Sequence, residues 1–200
     1  MKTKALLIPM IGIVAGAITF SACNKKVDEK TMAEVTQFGT DWTAMGEKAV
    51  AWSNDLSQTA ARAKEFAAKQ TEMMNNMANS KDEAMKTKMQ EMVKTSTENS
   101  THLDAMVTEW NTWKTSWDEN TKNFVEWQNK VVKGEVGGDQ VMAGLNDWKT
   151  KMTEAQQKVE GWNTAYMSVK ESCDKTMAMS DEMSKSMTTT TTPANGKMKK

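Results

Sequence analysis

The stretch LDAMVTEWNTWKTSWDENTKNFVEWQNKV, from Leu103 to Val131, decides the fold. Leu103, Met106, Trp110, Trp113, Trp117, Phe124, Trp127 and Val131 recur in alternating steps of three and four, with Asn120 the one polar member of the series. Most residues between them are Lys, Glu, Asp, Asn and Thr. Steps of three and four keep side chains on one face of a helix, whereas a half-buried strand needs alternation at every second residue. The spacing therefore predicts a long helix of coiled-coil type.

Followed toward the N-terminus, the same series continues through Asn99, Ser96, Met92 and Met89 to Met85. A preceding array runs from Val35 through Phe38, Trp42, Met45, Ala49, Trp52 and Leu56 to Gln70, Met73 and Met77. A following one runs from Val141 through Leu145, Trp148, Val159, Trp162, Tyr166, Cys173, Thr176 and Ser180 to Met183 and Met187. All eight Trp of the chain lie on these three seams. With 2 Pro and 10 Gly in 200 residues, helix is further favoured over sheet.

Two short breaks divide the arrays. Ala78-Asn79-Ser80-Lys81-Asp82 separates the first two, with Asn79 or Ser80 as the expected cap. Lys133-Gly134-Glu135-Val136-Gly137-Gly138-Asp139 separates the second pair, with Asp139 as the expected N-cap. The expected helices are 31–78, 81–132 and 139–187, forming one bundle over 31–187. The threonine run Thr188 to Thr192, followed by Pro193, ends the last helix, and a disordered tail is expected over 188–200.

Short connections favour antiparallel neighbours, so the fold class read here is all-α, an elongated antiparallel three-helix bundle. Folding about the two breaks pairs positions whose numbers add to about 162 and about 272. Val35, Trp127 and Leu145 then share a layer, followed by Phe38, Phe124 and Trp148. Trp52, Trp110 and Trp162 meet near the middle, above Leu56, Met106 and Tyr166. At the far end Met73, Met89 and Met183 meet, then Met77, Met85 and Met187.

The first 22 residues read differently. Lys2 and Lys4 precede an uncharged, mostly apolar run from Ala5 to Phe20, and the small residues Ser21 and Ala22 precede Cys23. This is the layout of a signal peptide. Phe20-Ser21-Ala22-Cys23 resembles the lipobox of bacterial lipoproteins, with Phe20 where Leu is usual. The resemblance covers only the leader. It implies cleavage after residue 22, a diacylglyceryl thioether on Cys23, and a lipidated linker over 23–30. Asn24, standing where Asp would retain a lipoprotein at the inner membrane, resembles an outer-membrane address. Two alternatives stay open: the 20 uncharged residues between Lys4 and Lys25 are long enough for an uncleaved span, and ordinary cleavage would leave no lipid.

Charge narrows the function classes. The 26 basic and 26 acidic residues cancel, and Arg62 is the only Arg, so no basic field or bidentate phosphate reader points to nucleic acid. Loss of Lys2 and Lys4 with the leader leaves 24 basic against 26 acidic residues, a net charge of about −2. No G-x-S-x-G, Walker loop, CxxC or HExxH occurs. His102 stands alone just off its seam and reads as a surface residue. Glu83–Lys86 and Asp147–Lys151 read as helical ion pairs. No catalytic residue, cofactor or metal ligand is therefore assigned, and an enzyme is not expected.

Three features remain. Gly39, Gly46, Gly144 and Gly161 sit beside seam positions and would admit bulky neighbours. Gln70, Ser96, Asn99, Asn120, Thr176 and Ser180 are polar seam residues, read as register control; the alternative is a pocket formed by Gln70, Ser96, Thr176 and Ser180, which cluster just below the methionine layers. The register also gathers Met73, Met74, Met77, Met85, Met89, Met92, Met177, Met179, Met183 and Met187 at one end. Methionine is an adaptable core filler, but thioethers also suit Cu(I). The leading expectation is a membrane-anchored, non-enzymatic envelope lipoprotein, monomeric or weakly associated. It would serve as a spacer, scaffold or rod for an envelope protein partner. The alternatives are a Cu(I)-binding protein and, less well matched to such narrow seams, an amphipathic surface binder.

Overall fold

Asp28 opens the first helix. Its carboxylate accepts hydrogen bonds from the Thr31 N–H at 2.9 Å and the Thr31 hydroxyl at 2.8 Å. These bonds satisfy a donor that the helix start would leave orphaned, and they hold the Asp28 carboxyl below its ordinary pKa. The computed structural model describes residues 27–78 and 80–190, without the side chains of 186–190. The leader with Cys23, the candidate cap Asn79, the tail from 191 onward and the Met187 side chain lie outside the described residues.

The described residues form three helices: α1 (Glu29–Asn76), α2 (Glu83–Val132) and α3 (Gly138–Thr190). Each packs against both others, which makes the all-α three-helix bundle expected from the seams. α1 starts two residues before the expected boundary and ends two earlier, and α3 continues through Thr190 rather than stopping at 187. The threonine run therefore does not end the helix at its first residue.

The caps also differ from expectation. Asp82, not Asn79 or Ser80, caps α2, its carboxylate accepting from the Met85 N–H at 3.0 Å. Ser80 instead accepts from the Asp82 N–H at 3.2 Å, bracing the turn. Asp139 lies within the first turn of α3, and the Val141 N–H donates to the Gly137 carbonyl one residue outside the helix.

The end of α2 has a clear physical cause. The Gly134 N–H donates to the Val131 carbonyl and the Glu135 N–H to the Lys130 carbonyl, with Gly134 at φ +71°. This Schellman pairing needs the left-handed conformation that glycine adopts without strain.

Cross-helix contacts follow the expected register. Phe124 lies 5.4 Å from Phe38 and 5.5 Å from Trp148 between ring centres. Trp52 lies 5.7 Å from Trp110 and 5.8 Å from Trp162. Helices of 48, 50 and 53 residues rising 1.5 Å per residue give a rod of about 70–80 Å. The start of α1, the end of α2 and the start of α3 share one end of it; the α1–α2 turn marks the other.

Candidate functional site

Aromatic rings fill the half of the rod nearest the start of α1. Trp42 stacks on Trp117 at 4.2 Å and 8° and meets Trp148 edge-on at 5.6 Å. All eight Trp belong to this core or pack against it, five of them buried, so they are packing elements rather than exposed stacking platforms.

Close backbone approach makes room for two of the indoles. A β-carbon on Gly144 would stand 2.6 Å from Trp127 Nε1, and one on Gly46 would stand 3.2 Å from Trp117 Nε1. Gly39 faces the flexible amide of Gln128 at 2.9 Å. Gly161, expected to play the same part, faces open space.

Polar side chains beside the seams tie the helices together. The Trp42 Nε1–H donates to Thr121 Oγ1, and the Trp162 Nε1–H to Glu109 Oε2, each at 2.9 Å. The Tyr166 hydroxyl donates to Asp55 Oδ2 at 2.6 Å and lies 2.8 Å from the Thr59 hydroxyl, which is left to donate to it. Burial, then the hydrogen bond to the Asp55 carboxylate, pushes the Tyr166 pKa up to about 12. The partners Asp55, Thr121 and Glu109 escaped the sequence reading. The available signal was that a buried Trp or Tyr needs a partner for its polar tip.

The polar seam is largely satisfied internally. Gln70 Nε2 donates to Ser180 Oγ at 2.7 Å, and Asn99 Nδ2 to Ser172 Oγ at 2.9 Å. Ser96 and Thr176 donate to carbonyls of their own helices, those of Met92 and Ser172. Gln70, Ser96, Thr176 and Ser180, the four residues of the alternative pocket, are each buried. A shallow groove of about 470 Å3 opens between α2 and α3, and of the four only Thr176 lines it, with Met92. Two buried polar atoms have no partner among the described residues, Trp52 Nε1 and Gln70 Oε1.

At the far end, Met89, Met92 and Met183 form a buried cluster with Met73, Met74, Met77 and Met85 packed against it. The expected gathering is thus incomplete. Met177 packs on the neighbouring cluster, and Met179 is exposed.

His102 is exposed, as its position beside the seam implied. Glu83 and Lys86 pair at 3.0 Å, whereas Lys151, expected opposite Asp147, places its Nζ 4.3 Å from the Trp148 ring centre. Cys173 is a free, buried thiol whose pKa burial raises. Among the described residues no group of three His, Cys, Asp or Glu side chains converges as a metal site, and no helix is long and apolar enough to cross a membrane. Compared with protein-family models, with curated proteins and with solved structures, the chain matches none.

Proposed function

We propose that the chain is a non-enzymatic lipoprotein of the cell envelope, held to a membrane by a lipid on Cys23. Its bundle serves as a spacer, scaffold or partner-binding rod. The observation that carries this reading is the course of the helices. All three run the length of the bundle, so the end where α1 begins and the α1–α2 turn stand about 70 Å apart. The Trp side chains are spent on internal packing, and the outer faces carry a mixed, balanced charge suited to solvent and to a polar partner rim. Asn24 favours the outer membrane as the site of anchoring.

The test is metabolic labelling with a fatty-acid analogue, comparing the unaltered chain with Cys23→Ala. The reading expects label and membrane retention in the first and neither in the second. Equal labelling of both rejects the anchor. A photocrosslinker at Lys81, near the far turn, is then expected to capture an envelope protein in cells.

A further inference from the structure

We propose that the methionine-rich end of the bundle is a thioether site for a soft monovalent metal ion, Cu(I). The inference does not depend on the lipid anchor. Its starting point is a contrast between core clusters. The other two mix Trp, Phe, Tyr, Leu, Val, Ala and Cys with one buried methionine each, Met45 and Met106, whereas every buried member of the far cluster is a methionine and only Val93, at its margin, is not. Leu56, Leu103 and Leu145 are each completely buried in the other two clusters. No leucine belongs to the far cluster, although branched side chains define a core better than unbranched methionine does.

The arrangement suits an ion entering from the tip. Met73, Met74, Met77 and Met85 form a half-buried outer set, and Met89, Met92 and Met183 an inner set at 0%, 2% and 8% exposure. All three helices contribute, so methionine side chains far apart in sequence pack together. Thioethers select Cu(I) over Zn(II), Mg(II) or Ca(II), and among the described residues no group of three His, Cys, Asp or Glu side chains gathers to offer those ions their preferred donors.

A second observation lies one turn below. Gln70 is 1% exposed, and its amide nitrogen is spent on Ser180, itself one turn before Met183. The Gln70 Oε1 atom has no partner among the described residues. An amide oxygen is too hard a donor to ligate Cu(I), but this unfilled acceptor shows that the layer under the methionines is not fully satisfied internally.

The experiment titrates the full-length chain in detergent with Cu(I) held by a chromogenic chelator without oxygen. The unaltered chain is expected to withdraw about one Cu(I) per molecule, and X-ray absorption to show a sulfur-dominated first shell. Cys173→Ala should bind equally, because that thiol packs in the next cluster. Met73→Leu/Met77→Leu/Met85→Leu should keep its helical circular dichroism and bind about tenfold more weakly or worse. If that variant loses helix, Met85→Leu alone is read in the same titration and must also weaken binding. No withdrawal from the chelator, equal binding by the leucine variants that fold, or loss of binding in Cys173→Ala overturns the proposal.

Discussion

The Trp127 indole nitrogen lies 2.6 Å from the point where Gly144 would carry a β-carbon. An alanine there would gain about 1 kcal/mol of helix propensity but would push a tryptophan out of its seat, at a cost of about 1–3 kcal/mol. Gly144→Ala is therefore expected to lower stability. Gly161→Ala, with open space around it, is expected to raise stability by about 1 kcal/mol. Urea unfolding midpoints at unchanged slope separate the two, and a gain in both variants would contradict the packing described.

The link from Tyr166 to Asp55 and Thr59 crosses from α3 to α1. Tyr166→Phe removes it and is expected to cost about 1–2 kcal/mol. Its pH dependence has a definite sign. The folded-state pKa is raised from 10.0 to about 12, so the unfolded chain loses this proton first. The contribution is complete below pH 10 and is lost as pH rises toward about 12. Between those limits the unaltered chain should lose stability more steeply than Tyr166→Phe. Parallel curves would remove the Tyr166 contribution.

Why some of this was legible in the sequence and some was not has physical reasons. The register was readable because the helix repeat admits few ways to bury Trp42, Trp110, Trp148 and Met89 at once. The caps were not, because Asn79, Ser80 and Asp82 have similar capping propensity, and the choice falls to the carboxylate that reaches the Met85 N–H. A two-residue seam also understates burial when each helix has two neighbours. Ser53, Ala60 and Ser100 lie off the seams yet are buried, since a core-facing helix in a bundle buries a wider stripe. The gathering of the distal methionines followed from register, but the exposure of Met179 depends on which flank of α3 meets no neighbour.

Two tryptophans differ in one hydrogen bond. Trp42 Nε1 donates to Thr121, whereas Trp52 Nε1 is buried without a partner among the described residues. Replacement by Phe costs packing in both cases, but only Trp42→Phe also breaks a bond. Trp42→Phe is expected to destabilise by about 1 kcal/mol more than Trp52→Phe. Equal or reversed costs in thermal unfolding would show that Trp52 Nε1 is satisfied.

Gln70 tests the reading of polar seam residues as register control. Gln70→Leu removes an unpaired acceptor, and Ser180 can turn its hydroxyl to a carbonyl one helical turn earlier. The variant is expected to gain about 1 kcal/mol while losing alignment between α1 and α3. Disulfide trapping at cysteines placed along Ala63 to Met77 and Ser172 to Met183, in a Cys173→Ala background, should broaden from one register to several. A single unchanged register would reject the role.

An anchored rod is tested most directly by the distance of its two ends from a membrane. A fluorophore is attached to a cysteine at Lys81, in the α1–α2 turn, or at Glu135, in the α2–α3 turn, of lipidated Cys173→Ala protein in vesicles. Energy transfer to an acceptor in the lipid headgroups is then measured. Transfer should be strong from position 135 and nearly absent from position 81, about 70 Å further out. Equal transfer from both positions, meaning helices lying along the bilayer, or none from either would contradict the account.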